Sequence, residues 1–161
     1  MDIPSNWWWR GGVPEPGDCA IFDMDGVLSD AKDRQHHLTW PRRDWHAFFA
    51  AAGDDALFDD CAALLGLLGD TLQVVLLTAR PVSIRPATID WLGRHDIPYD
   101  LLVMRPDVDR RASAAYKKST VHELDVFGFT PRISFEDDRR NVEMFRAQGV
   151  PCVYIHSGYY D

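Results

Sequence analysis

Two pairs of aspartates, each beginning within two residues of the end of a short apolar run, are the residues of this sequence best suited to chemistry. Asp23 and Asp25 form the first pair, and Asp137 and Asp138 form the second. Carboxylates brought together repel one another unless a cation lies among them, and a few hard oxygen ligands are what Mg²⁺ prefers. The two pairs therefore predict an Mg²⁺ site, with the choice between Asp137 and Asp138 as the direct ligand left open.

A hydroxyl and a lysine extend this set. Thr78 follows another apolar run, and Lys117 lies near the start of a helical segment. Carboxylates, Mg²⁺, a hydroxyl and a lysine together are typical of phosphoryl transfer, which needs charge neutralisation and in-line positioning. In that reaction Asp23 attacks phosphorus to form an aspartyl-phosphate, and Asp25 protonates the leaving oxygen and then activates water.

The elements that must position these residues are read from the hydrophobic pattern. Five runs favour strands that are buried on both faces: Cys19–Phe22, Gln73–Leu77, Leu101–Met104, Ile133–Phe135 and Cys152–Ile155. Amphipathic segments alternate with them, at 45–52, 57–68, 84–92, 113–127 and around 142–145. The alternation predicts an α/β fold with three layers, a doubly wound and mainly parallel five-stranded sheet, whose strand ends carry the site.

Two further regions are predicted along the chain. Residues 1–17 are rich in Gly, Pro and Trp, which predicts an irregular leader with its three tryptophans on the surface or at the core edge. Residues 18–161 are then a single domain, and a helical insertion at about 30–70 follows the first strand.

Composition sets limits on the class of protein. The 161 residues carry a net charge of −8, which excludes a general nucleic-acid coat or a polybasic membrane binder. No apolar stretch reaches the ~20 residues that span a bilayer, and no signal-peptide order is present, so we expect a cytoplasmic protein without a membrane partner. The three distant cysteines do not indicate a disulfide framework.

Four segments, FDMDGVLSD, LLTAR, Lys117 and FEDDRRN, resemble in this order the signature blocks of the haloacid dehalogenase (HAD)-type phosphohydrolases. The resemblance covers roughly residues 18–156. It implies a HAD-like Rossmannoid fold with Asp23 as nucleophile, Asp25 as acid and base, Thr78 as phosphoryl ligand and Lys117 as stabilising cation. It also implies that Mg²⁺ is held by Asp23, the Asp25 backbone carbonyl and Asp137, with Asp138 beside it.

A finer resemblance is to the 3′-phosphatase domain of phage-type polynucleotide kinase/phosphatase. It is carried by the spacing from Asp109 to Lys117 and by the segments 137–139 and 142–149. It implies a DNA or RNA 3′ end as substrate. The sequence lacks the G-x-x-x-x-G-K-[ST] pattern of a kinase half, so a separate kinase or ligase is a possible partner.

Arginines near the predicted site are candidates for substrate binding. Residues 105–118 carry five basic and two acidic side chains, a local charge of +3 in an acidic chain, which fits contact with a terminal phosphate and its neighbours. The candidates are Arg80, Arg105, Arg110, Arg111 and Arg139. Charge alone fits equally well with arginines that pair with nearby acids on a solvated loop.

Two other functions remain open at this stage. One is a phosphatase of free nucleotides or small phosphometabolites, because the shape of the insertion decides the substrate. The other is a phospho-receiver switch, which also gathers acids, a hydroxyl and a lysine around Mg²⁺. The order of the motifs and the second acid at Asp25 favour turnover over a lasting phosphoryl mark.

Overall fold

The computed structural model describes residues 2–160, which form a central sheet covered by helices on both faces. The strands are β1 Trp7–Trp9, β2 Asp18–Phe22, β3 Ser29–Asp30, β4 Ala56–Leu57, β5 Gln73–Pro81, β6 Leu101–Arg105, β7 Thr130–Glu136 and β8 Cys152–Tyr154. The α-helices are α1 Trp45–Ala50, α2 Asp59–Leu68, α3 Arg85–Arg94, α4 Ser113–Val126 and α5 Arg139–Ala147. Short 3-10 helices cover Lys32–Leu38, Ala52–Asp54 and Val82–Ile84.

The side chains of each central strand alternate between two cores, as the pleat requires. In β2, Cys19 and Ile21 pack in the core on the side of α4 and α5. Ala20 and Phe22 pack in the opposite core with α2 and α3. Burial on both faces explains why the strands read as continuous apolar runs, and the predicted three-layer α/β fold is confirmed.

The main sheet has six strands, in the order β1-β6-β5-β2-β7-β8, so the predicted count of five was wrong. All its neighbouring strands are parallel except β1, which pairs antiparallel with β6. The expected irregular leader therefore contains an edge strand. Trp7 is buried and its ring lies 5.1 Å from that of Phe127, so burial of this tryptophan holds the three-residue strand in place.

The insertion after β2 is shorter than expected. It is closed by a two-stranded antiparallel pairing of β3 with β4, and between these strands lie two 3-10 helices and α1. The prediction had placed α2 inside the insertion, but Leu65 of α2 is fully buried against the main sheet. Helix α2 is therefore part of the crossover from β2 to β5, and the insertion proper ends at residue 57.

None of the helices in the described part of the chain is long and apolar enough to span a bilayer. Of the three free cysteines, Cys19 and Cys152 are buried and Cys61 is half-buried.

Candidate active site

The carboxyl ends of β2 and β7, neighbours in the sheet, bring three acidic side chains together. Asp23 directly follows β2, whereas Glu136 is the last residue of β7 and Asp137 the next. One carboxylate oxygen from each of the three lies within 4.8 Å of the other two. A backbone hydrogen bond of 3.1 Å from the Asp23 amide to the Phe135 carbonyl fixes the two strand ends relative to each other.

Asp137 has the properties of a cation ligand. Both oxygens of its carboxylate are buried and accept no hydrogen bond from any residue in 2–160. Burial, and next the charge of Asp23, raise the pKa of Asp137 to about 7. Buried anionic oxygens without donors cost free energy that a bound cation offsets. Asp137 was therefore the better of the two ligand candidates left open by the sequence.

Gly26 lies directly against the Asp137 carboxylate. It has φ +86°, a left-handed conformation that glycine adopts at little cost, and a Cβ built on it would overlap the Asp137 carboxylate. The backbone thus approaches the carboxylate more closely than any other residue allows. The donor set, the unpartnered oxygens and this close approach all fit a divalent ion of the Mg²⁺ type.

Lys117 is the cation that the chain itself supplies. Its side chain is 1% exposed, and its Nζ lies 2.7 Å from Glu136 and 3.0 Å from Asp23. These carboxylates overcome the effect of burial and raise the pKa of Lys117 above its usual value. When all three carboxylates are ionised, they and the one ammonium give the cluster a net charge of −2, which a single divalent ion would neutralise.

Asp25 stands apart from this cluster and is held by two buried arginines. Arg34 Nη2 and Arg80 Nη2 lie 2.7 Å and 2.6 Å from the same oxygen, Asp25 Oδ1. Burial acts to raise the pKa of Asp25, but the two guanidinium groups outweigh it and the pKa is lowered. Because both arginines bind Oδ1, the second oxygen, Oδ2, is left without a guanidinium partner.

Arg80 was predicted to bind substrate, and the structure places its side chain behind the cavity lining. Its side chain is fully buried and is bound to Asp25 and to the Ser29 hydroxyl. Arg80 is the second-last residue of β5, and its guanidinium lies inside the fold against Asp25. Arg80 positions an acidic group and does not face the cavity.

Thr78 and the predicted catalytic residues share one cavity. Asp23, Asp25, Thr78 and Lys117 all line a cavity of about 760 Å³ at the carboxyl ends of the strands. The Thr78 hydroxyl accepts a 3.1 Å hydrogen bond from the Arg80 backbone amide, which fixes its position. The structure thus brings together the four residues for which the sequence predicted catalytic roles.

Two predicted site residues on the β7–α5 turn, Asp138 and Arg139, lie away from the acidic cluster. The Asp138 carboxylate accepts a hydrogen bond from the Arg140 amide at the start of α5 and pairs with the Arg140 side chain, so it caps the helix and lies outside the acidic cluster. Arg139 stacks on Tyr154, 5.3 Å from its ring centroid, and does not line the cavity. Arg140 lines it instead, because successive residues of a helix point in different directions.

The three remaining arginines line the same cavity. Arg111 pairs with Asp109 at 2.6 Å, and Arg105 donates to the Arg111 carbonyl at 2.9 Å and stacks on Tyr116. Arg110 is exposed and has no hydrogen bond, ion pair or ring contact with any residue from 2 to 160. Part of this basic segment is therefore paired internally, and Arg110 is available to an anion.

Sequence reasoning missed four residues of the site, Gly26, Arg34, Asp55 and Glu136. Asp55 binds the Nε and Nη2 atoms of Arg34 at 2.8 Å and 2.6 Å, across the insertion. Only Glu136 could have been found from a local sequence pattern. It is the last residue of an apolar strand, and Asp23 likewise comes directly after one. Gly26 directly follows Asp25, but its contact with Asp137 is made across the sheet.

Comparisons with known proteins agree with this geometry. The model of the family described as "Polynucleotide kinase PNKP phosphatase domain" matches residues 17–160. No curated protein sequence matches the chain.

Among solved structures, a Pnkp1/Rnl/Hen1 complex matches with a TM-score of 0.75 and 26% identity, covering 95% of this chain and 50% of that one. A second structure, of the Pnkp1/Rnl/Hen1 RNA repair complex, matches with a TM-score of 0.73 and 25% identity, covering 96% of this chain and 47% of that one. This chain thus spans about half the length of those two. A HAD-like hydrolase from Streptococcus pneumoniae shares the fold, with a TM-score of 0.61, 14% identity and coverage of 84% and 83%.

Proposed function

The chain belongs to the family of PNKP-type phosphatase domains within the HAD-like phosphatases, and from this premise we propose that it removes 3′-phosphates from polynucleotide ends with the aid of Mg²⁺. The observation that carries the proposal is the single cavity lined by Asp23, Asp25, Thr78 and Lys117 beside the acidic cluster.

The first half of the proposed reaction transfers the phosphoryl group to Asp23. Two donors, the Met24 amide at 2.8 Å and Lys117 at 3.0 Å, bind Asp23 Oδ1, which orients the carboxylate toward phosphorus. A bond forms between an Asp23 oxygen and phosphorus as the bond from phosphorus to the nucleoside 3′ oxygen breaks. The leaving oxygen takes the proton of Asp25, which the carboxyl group must first acquire because its pKa is low.

The second half releases phosphate. Asp25, now ionised, accepts a proton from water through Oδ2, and the resulting hydroxide attacks phosphorus and frees Asp23. The two arginines on Oδ1 stabilise the ionised form of Asp25 and so favour this base role. A phospho-receiver switch keeps its phosphoryl group and does not need a second acid to activate water, so the arrangement favours hydrolysis.

The Mg²⁺ site and the lysine beside it are formed by neighbouring groups. In the proposed reaction Mg²⁺ would be held by Asp23, Asp137 and the Asp25 backbone carbonyl. Glu136 would position Lys117 through their ion pair. When bound, Mg²⁺ would supply positive charge to the phosphoryl oxygens. Thr78 and Lys117 donate to those oxygens as charge develops on them.

The cavity also supports a polynucleotide substrate over a small metabolite. A cavity of about 760 Å³ exceeds what a lone phosphate needs, and Arg105, Arg110 and Arg111 line the side formed by the loop after β6. The Pnkp1 structures show that protein in an RNA repair complex with Rnl and Hen1. By analogy, we propose that a kinase or ligase acts alongside this chain on the same nucleic-acid ends.

The test is phosphate release from a matched panel with Mg²⁺ and with EDTA. The panel contains one oligonucleotide with a 3′-phosphate, the same oligonucleotide with a 5′-phosphate, and mononucleotides. We expect Mg²⁺-dependent release from the 3′-phosphate oligonucleotide above all, and none from Asp23→Asn, whose fold is checked by circular dichroism. Preference for mononucleotides would refute the polynucleotide substrate, and activity of Asp23→Asn would refute the aspartyl-phosphate.

A further inference from the structure

Two tryptophans of the insertion are unusually exposed. Trp40 is 83% exposed and Trp45 is 49% exposed, although burial of these large side chains stabilises a fold. They flank Arg42 and Arg43, and we call residues 40–45 the Trp40–Trp45 segment. Aromatic rings alternating with cations are what proteins present to single-stranded nucleic acid.

The two arginines of the Trp40–Trp45 segment are unengaged. Neither Arg42 nor Arg43 makes a hydrogen bond, ion pair or ring contact anywhere in the described chain. Arg34, eight residues earlier than Arg42, is by contrast bound to two carboxylates and a backbone carbonyl. The segment therefore carries two arginines without a partner in the described fold, and with Asp44 its net charge is +1.

The Trp40–Trp45 segment is fixed to the active site at its end. Asp44 caps α1 through a 2.9 Å hydrogen bond from the Ala47 amide, which sets the start of the helix at Trp45. The Trp45 ring lies edge-on to Phe48, 5.7 Å between centroids, and Phe48 in turn lies under the Arg34 guanidinium at 4.3 Å. Arg34 is the same residue that binds Asp25.

The segment also borders the cavity that holds phosphate in the proposed function. Arg43, Trp45 and Phe49 line that cavity together with Asp23. Trp45 and Phe49 stack with an interplanar angle of 26°, and the Trp45 side chain is nevertheless exposed. Trp40 is exposed and lies outside the cavity lining.

We propose that the Trp40–Trp45 segment is the binding track for the single-stranded end of the polynucleotide. Trp45 stacks on the base of the nucleoside that carries the 3′-phosphate, and Trp40 stacks on a base farther toward the 5′ side. Arg42 and Arg43 contact the intervening backbone phosphates. The inference rests on the proposed function, and it names the insertion as the element that selects a strand over a small phosphate ester.

The proposed binding track requires a single-stranded substrate. Stacking on an indole needs an unpaired base with a free face, which a blunt duplex does not offer. The track has no set of hydrogen-bond donors arranged for one base, so we expect little sequence preference.

The experiment compares variants on three substrates: a ten-nucleotide single strand with a 3′-phosphate, a blunt duplex with the same end, and p-nitrophenyl phosphate. The variants are Trp40→Ala, Trp45→Ala, Trp45→Phe and, as a control, Trp8→Ala, which removes an exposed tryptophan outside the cavity. We expect kcat/KM on the single strand to fall about 5- to 100-fold in Trp45→Ala, with a smaller loss in Trp40→Ala. Trp45→Phe recovers most of it, and the loss on p-nitrophenyl phosphate is smaller than the loss on the single strand.

A binding measurement tests the arginines without turnover. The dissociation constant of a fluorescent 3′-phosphate oligonucleotide is measured by anisotropy over a range of salt, in the Asp23→Asn background. Loss of two phosphate contacts in Arg42→Ala/Arg43→Ala makes the slope of log affinity against log salt shallower by about 1.4. An unchanged slope overturns the backbone contacts.

The outcomes separate this inference from the function on which it rests. If the wild type releases no 3′-phosphate, the proposed function is wrong. If it does, but Trp40→Ala and Trp45→Ala match Trp8→Ala, the track is wrong. Equal losses on p-nitrophenyl phosphate indicate a structural role and overturn it, and equal losses on the blunt duplex overturn its preference for single strands.

Discussion

Replacing Asp137 by asparagine tests the assignment of the metal site through protein stability. In the metal-free protein, burial and the charge of Asp23 raise the Asp137 pKa to about 7, against about 4 in the unfolded chain. The folded state therefore holds this proton more tightly, and stability is lost as pH rises from about 4 to 7. At about 1.4 kcal/mol per pKa unit, the loss above pH 7 is about 4 kcal/mol.

Asparagine keeps the shape and removes the charge. In EDTA at pH 8 we expect Asp137→Asn to be more stable than the wild type by up to about 4 kcal/mol, and equal to it near pH 4. For a chain of this size that is a rise in Tm of about 8 to 16 °C at pH 8. The assay is thermal unfolding by circular dichroism across this pH range.

Magnesium should reverse the order of the two proteins. At a free Mg²⁺ concentration 100 times its Kd, binding stabilises the wild type by about 2.7 kcal/mol, or about 5 to 11 °C in Tm. Asp137→Asn should lose this increase. Asp138→Asn is the matched control and should keep it, because asparagine still caps α5 and the ion pair with the exposed Arg140 side chain is not part of the metal site.

Three results would refute this reasoning. The first is a metal-free Asp137→Asn less stable than the wild type at pH 8, because the Asp137 charge would then not be destabilising. The second is a full Mg²⁺ shift in Asp137→Asn. The third is its loss in Asp138→Asn, which would move the ligand role to the neighbouring residue.

Three further substitutions probe other parts of the structure. Gly26→Ala places a methyl group against the Asp137 carboxylate, so the Mg²⁺ shift and kcat should fall together, as thermal unfolding and phosphate release will show. Arg80→Met removes one of two cations from Asp25 and so raises the pKa of the proton donor, which should move the alkaline limb of the kcat/KM profile to higher pH, and loss of a buried ion-pair partner should cost about 3–5 kcal/mol. Trp7→Ala removes a buried ring and should cost about 3–5 kcal/mol in denaturant unfolding, whereas an irregular leader predicts almost no change.

The parts of the site that local sequence patterns predicted are those attached to the strands. Asp23 follows β2 and Thr78 lies near the end of β5, and strands of a parallel sheet end at a common edge, so their meeting follows from topology alone. Lys117 was predictable for a related reason, because α4 leads directly into β7. In each case a short-range pattern and one rule of sheet geometry were enough.

The parts that were missed depend on contacts that no periodicity encodes. Arg34 and Asp55 lie 21 residues apart in the insertion, and only the folded insertion shows that they pair. Arg80 lies two residues after Thr78, in a segment for which the sequence predicted a role in the active site. Its partners Asp25 and Ser29, however, are more than 50 residues away in the chain. The β1 strand was missed because three consecutive tryptophans have no alternation of polar and apolar residues.

Strand β1 also decides where a shortened form of this protein can begin. Its three residues hydrogen-bond along β6, and the Asn6 side chain donates to the Met104 carbonyl at 2.8 Å, one residue before Arg105. A fragment starting at residue 18, where the hydrophobic pattern alone places the boundary, would leave β6 as a bare edge able to pair with another chain. Such a fragment should self-associate, and the end of β6 at Arg105, with the loop that carries Arg110 and Arg111, would lose its anchor.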